Sequence, residues 1–147
     1  MKAHIGIDPG QSGGIAVLIT GLDPFAVKMP ETERDVWDTL YSMRHWGDLA
    51  AVATIEAVHA MPKQGVTSTF TFGKGYGGLR MALIGCGIPF VEVTPGKWQK
   101  ALGCLTKGDK NVSKRMAQQL FPSLKISHYI ADALLIAEYS RRQYEKP

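Results

Sequence analysis

The stretch Ala3-His4-Ile5-Gly6-Ile7-Asp8-Pro9-Gly10 is short, apolar and alternating, and it ends on a carboxylate followed by turn chemistry. That pattern predicts a half-buried strand that delivers an acid to its end. The turn continues as Gln11-Ser12-Gly13-Gly14, so backbone comes close to whatever Asp8 holds. Residues 14–20 then read as a second strand and Phe25 to Met29 as a third, with Gly21 and Asp23-Pro24 as turn residues between them. The three form an antiparallel meander.

Beyond the meander the period changes. Thr32 to Trp46 reads as a helix, capped by Thr32 with Asp35 three residues on, and with Val36, Trp37, Leu40 and Met43 at helical spacing. Residues 51–56 form a buried type of strand that ends on Glu56. The Gly/Ser/Thr-rich stretch 62–78 reads as irregular and runs into a helix from about Gly77 to Ile84. Residues 88–93 give a fifth strand. Gly96 to Leu102, Asn111 to Leu120 and Tyr129 to Tyr144 read as helices, punctuated by Pro95 and Pro122. A meander followed by alternating helices and strands implies an α/β fold: a five-stranded mixed sheet flanked by helices, in one domain over 1–147.

The bulk composition agrees. At 147 residues the chain has the length of one domain and needs no metal or disulfide staple. It is 45% hydrophobic and 20% charged, as soluble globular proteins are. Cys86 and Cys104 belong to no paired spacing and read as reduced thiols. No charged leader with an apolar core and no membrane-length apolar run occurs, so the expectation is a cytoplasmic protein with no membrane partner.

Three of the thirteen acids stand in apolar company: Asp8 and Glu56 end apolar strands, and Asp132 sits inside Ile130-Ala131-Asp132-Ala133-Leu134-Leu135-Ile136-Ala137. Each has a local alternative, since Asp8 could cap the Pro9-Gly10 turn and Asp132 could face a helix dipole. Taken together they point to divalent cations. Buried carboxylates are costly unless paired or metal-bound, and magnesium takes oxygen ligands. His128 lies four residues before Asp132 and shares its helix face. It could bind metal, position a water or protonate a leaving group, or it could be a surface residue at a helix start, with Ser127 as the cap. Glu138, six residues beyond Asp132, reads as solvated.

Positive charge is concentrated in the middle of the chain. From Ala57 to Arg115 there are nine bases and two acids, against eight and eleven elsewhere, within a net charge of +4. Lys63, Lys74, Arg80, Lys97, Lys107, Lys110, Lys114 and Arg115, interleaved with Phe70, Phe72, Tyr76 and Trp98, suit a nucleic-acid surface. Lysines neutralise phosphates and rings stack on exposed bases. The alternative is a solvated lysine face with Phe70 and Phe72 in the core.

With these residues in hand, the chain resembles the RuvC-type Holliday junction resolvases of the ribonuclease H-like superfamily, and especially their short phage-encoded members. The resemblance rests on Gly6-Ile7-Asp8-Pro9-Gly10 with Ser12-Gly13, on Ile55-Glu56, on Gly73 to Arg80, on Thr94-Pro95-Gly96-Lys97-Trp98 and on Ala131-Asp132-Ala133-Leu134-Leu135-Ile136-Ala137-Glu138-Tyr139. It implies a ribonuclease H-like fold and a catalytic cluster of Asp8, Glu56 and Asp132. It also implies two magnesium or manganese ions, branched DNA as partner and a homodimer. A fourth acid of the family, three or four residues before the last, is replaced here by Tyr129 and His128, and we assign its role as metal ligand and catalytic group to His128. Imidazole is a softer donor than carboxylate, which would favour manganese at that position.

Overall fold

The computed structural model describes residues 2–146. The meander is present as β1 (Ala3–Asp8), β2 (Gly14–Leu18) and β3 (Phe25–Lys28). Helix α1 (Glu33–Met43) follows, with Thr32 as its cap accepting from the Asp35 amide at 3.1 Å. The helix stops at Met43, short of the expected Trp46, and a 3-10 turn, Trp46–Asp48, leads into β4 (Ala51–Glu56). Then come α2 (Val66–Gly85), β5 (Phe90–Val93), α3 (Pro95–Leu102), α4 (Lys110–Leu120) and α5 (His128–Tyr144).

The five strands lie in the order β3-β2-β1-β4-β5. β1 pairs antiparallel with β2 and parallel with β4, β3 pairs antiparallel with β2, and β5 parallel with β4. Alternation along the strands divides the core in two. Ile5, Ile7, Ile15, Val17, Ala53 and Ile55 pack towards α1 and α2. Ala16, Leu18 and Val93 pack towards α3, α4 and α5, with Leu134, Leu135 and Ile136 of α5 fully buried against them. Cys86 belongs to the first core and Cys104 to the second, so the sheet separates the two free thiols.

The largest departure from the sequence reading is α2. The stretch 62–78 is not irregular throughout: it is helical from Val66. Glycine in a helix interior is about 1 kcal/mol worse than alanine, and Gly73, Gly75, Gly77 and Gly78 all lie in this one helix. Tertiary packing overrides that cost, because Leu79, Ala82 and Leu83 bury against the sheet with Tyr76 beside them. Glu138 is the second correction. It is not solvated but 4% exposed. It accepts from Arg141 Nε and Nη2 at 2.8 Å each and from Arg142 Nε at 2.7 Å. Burial would raise its pKa, and the two guanidinium groups more than offset this, leaving it below the usual range.

Two glycines fix how α5 lies on the sheet. A Cβ on Gly6 would stand 2.2 Å from the Ala133 carbonyl oxygen and 2.3 Å from the Ala137 amide nitrogen. A Cβ on Gly14 would stand 2.4 Å from the Tyr129 carbonyl oxygen. The helix backbone therefore rests directly on β1 and on the start of β2. Among the described residues no helix is long and apolar enough to cross a membrane.

Candidate active site

Asp8 is the last residue of β1 and Glu56 the last of β4. The parallel register Ile7↔Ile55 sets these two ends side by side. His4, Gly6 and Asp8 alternate onto the face that α5 covers, and the contact at Gly6 brings that helix down beside them. Asp132, in the second turn of α5, thereby meets the carboxyl ends of β1 and β4.

The electrostatics record this convergence. Burial, first, and then repulsion from Asp132 and Glu56 push the Asp8 pKa up to about 8. Burial also raises Glu56, and Asp132 adds to the effect. Burial raises Asp132, against the Ser113 hydroxyl, Lys110 and His128, which pull it back. Asp132 Oδ1 is buried with no hydrogen-bond partner, and so is the hydroxyl of Thr54, two residues before Glu56 on the same face.

An orphaned carboxylate oxygen beside two further buried acids is a hard-oxygen donor set that divalent cations would relieve. Among the described residues no group of three His, Cys, Asp or Glu side chains closes around a single ion.

His128 is the first residue of α5 and is exposed, one turn before Asp132, on which its charge acts. Ser127 stands at the cap position but its side chain makes no capping bond. Lys110, the first residue of α4, is the cation whose charge acts on all three acids. Sequence reasoning had assigned it to the DNA backbone. Its helix packs on α5 and carries the buried Ser113 one turn further on.

Trp98 is another correction. It is not part of an exposed aromatic surface: its ring is fully buried and its indole N–H donates to Glu56 Oε2 at 2.8 Å. The available signal was the amphipathic spacing of Trp98 with Leu102, both of which bury, together with the need of a buried indole for an acceptor.

The remaining basic and aromatic residues divide by environment. Phe70 is 71% exposed. Phe72 is half-buried, and its ring covers Gly10 in the turn after Asp8. Tyr76 donates to Glu92 Oε1 at 2.6 Å, and Arg80 Nε pairs with the same oxygen at 3.0 Å. Burial, with Glu92, pushes the Tyr76 pKa up to about 12. Lys63, Lys74, Lys97, Lys107 and Arg115 are exposed and Lys114 is half-buried.

A five-stranded mixed sheet flanked by five helices, with acids at the adjoining ends of its central strand β1 and the neighbouring β4, is a ribonuclease H-like fold. Among solved structures the chain is similar to T. thermophilus RuvC in complex with a Holliday junction substrate. The TM-score is 0.67 at 19% sequence identity, over 98% of this chain and 97% of that one. A second Thermus thermophilus RuvC structure gives a TM-score of 0.65 at 19% identity, over 96% of each chain. No family model and no curated protein matches the sequence.

Proposed function

We propose that this chain is a metal-dependent endodeoxyribonuclease that cuts branched DNA, foremost four-way junctions, and that it belongs with the short phage-encoded RuvC-type resolvases. The observation that carries the reading is the convergence of Asp8 and Glu56, at the adjoining ends of β1 and β4, with Asp132 of α5, whose buried Oδ1 has no hydrogen-bond partner among the described residues. The RuvC-like fold and the motifs shared with that family support it.

The reaction is in-line hydrolysis. Water oxygen bonds to phosphorus, the bond to the 3′ oxygen breaks, and that oxygen takes a proton, leaving a 5′-phosphate and a 3′-hydroxyl. When bound, two magnesium or manganese ions supply the nucleophile at neutral pH and offset the charge that builds on phosphate. Asp8, Glu56 and Asp132 would hold the ions, with Asp8 contributing to both. Trp98 keeps Glu56 in one orientation. His128, one turn before Asp132 on α5, would position the water, supply the leaving oxygen with its proton or complete the second site. Lys110 meets the scissile phosphate. Lys63, Lys74, Lys97, Lys107, Lys114 and Arg115 hold backbone, with Arg80 and Tyr76 beside them, and Phe70 and Phe72 probe the branch point, where bases unstack most easily. Two-fold junctions call for a two-fold protein, so the active species is a homodimer that makes matched nicks.

The test is cleavage of four-way, forked, flapped and linear DNA in magnesium and in manganese, by wild type and Asp8→Asn. Cutting of four-way junctions that Asp8→Asn abolishes, with junction binding retained, is the expected result. Equal cutting of forks and flaps would broaden the substrate. Junction binding without cutting in either metal would make the chain a non-catalytic junction binder.

A further inference from the structure

A cleft of about 1190 Å³ opens between α1 and α2, at the same end of the sheet as the acid cluster. Gln11 and Ser12, in the turn that follows Asp8, form its inner edge. Two aromatic rings wall it. Phe72 is pinned over Gly10, where a Cβ would stand 2.9 Å from the ring. Trp37 is pinned over Gly85, where a Cβ would stand 2.6 Å from the ring.

Two more glycines border the cleft. Gly75 and Gly78 lie inside α2 and line the cleft. Helix interiors disfavour glycine, and a Cβ at either position would meet nothing within 4 Å. No contact among the described residues requires them, but any side chain there would reduce the cleft. (Gly73 and Gly77 are equally unobstructed on α2, and nothing in the structure explains them.)

We propose that this cleft takes up an unpaired nucleobase displaced from the branch point of bound DNA, an inference that rests on the reading of the chain as a branched-DNA nuclease. The chemistry of the walls selects the ligand. Among the described residues Lys74 is the one basic side chain lining the cleft, against Glu31 and Glu33, so phosphate is disfavoured there. The amide of Gln11 and the hydroxyl of Thr71 offer donors and acceptors to the edge of a neutral ring. The two aromatic walls offer faces to stack on. A base seated against Phe72 lies one turn of chain from Asp8, so its fit would govern which phosphodiester reaches the acids. The cleft is thereby a specificity site.

The experiment uses a four-way junction with 2-aminopurine at each branch-point nucleotide in turn, bound in calcium, and reads fluorescence. One position should change at least twofold on binding wild type. Gly78→Leu, which projects a side chain into the cleft, should abolish that change while melting at no lower temperature, and Gly75→Leu provides the same test should Gly78→Leu fail to fold. Gly77→Leu, outside the cleft, should retain the signal. In parallel, wild-type cutting of junctions differing only in that base should vary at least tenfold, and the filled variant should level the rates. A fluorescence change that survives in the filled variants, or no change with wild type on a junction it binds and cuts, overturns the cleft proposal and leaves the nuclease reading intact. A base signal without cutting in magnesium or manganese does the reverse. Absence of any junction binding removes both.

Discussion

The indole N–H of Trp98 donates to Glu56 Oε2 across 2.8 Å from a ring with no exposed surface. A carboxylate at a strand end can swing about its side-chain torsions, and this bond fixes one oxygen and leaves the other for a ligand. Trp98→Phe keeps most of the apolar volume and removes the donor. We expect a stability loss of about 1–3 kcal/mol and weaker binding of manganese, with cutting partly restored at high metal concentration. Urea melts and calorimetric metal titration measure both. Unchanged metal affinity would show that Glu56 does not depend on Trp98 for its orientation.

Gly6 is where α5 touches the sheet. The Cβ of Gly6→Ala would collide with three backbone atoms of α5, which cannot rotate away. The expected cost is about 3 kcal/mol or more, with loss of cutting because Asp132 rides on the displaced helix. Gly77→Ala, in open space on α2, should instead gain about 0.5–1 kcal/mol. Denaturant melts of the two variants should move in opposite directions.

Without metal, the acid cluster should make stability fall as pH rises. The Asp8 pKa is raised from 3.8 to about 8, so between those values the folded chain holds a proton that the unfolded chain has released. Stability is then lost as pH climbs through that window. His4 acts oppositely: burial lowers its pKa, so its protonation costs stability as pH drops below 6.5. The difference between wild type and Asp8→Asn isolates the Asp8 contribution. Melting in EDTA should show the variant gaining on wild type from pH 5 to pH 8, and magnesium or manganese should abolish that gap. A constant difference across pH would contradict the coupling.

Lys110 lowers the pKa of all three acids. Lys110→Ala should therefore steepen the decline of metal-free stability with pH, whereas Lys114→Ala, whose charge is not among those acting on the acids, should leave it unchanged. Melting curves over the same pH range separate the two, and identical slopes would place Lys110 outside the cluster's field.

Glu138 holds Arg141 and Arg142 from a buried position. Glu138→Ala should cost about 2 kcal/mol, where a solvated surface acid would cost no more than about 0.5 kcal/mol. Junction cutting per folded molecule should not change, because the pair of arginines lies in the last turns of α5, away from Asp132.

Much of this architecture is legible in the order of residues. Alternation from Ala3 to Asp8 and the turn residues after it specify the meander, since strand faces repeat every two residues. Asp8, Glu56 and Asp132 stand out because charges are rare inside apolar runs. Local sequence was silent or misleading wherever the decisive term was long-range. The glycines of α2 argue for a loop, yet burial of Leu79 and Leu83 holds a helix there. Glu138 looks solvated until two arginines one turn on fold over it, and Trp98 looks like a stacking surface until Glu56, 42 residues away, meets it. Periodicity and the cost of burying charge act along the chain, so the sequence alone determined the strand order within the meander, the α/β class and which acids stand in apolar runs. Where Lys110 and Trp98 stand relative to those acids, and the cleft beside them, depended on how helices dock across the sheet. That docking is set by contacts such as Gly6 against Ala133, between residues whose separation in sequence carries no signal of their meeting.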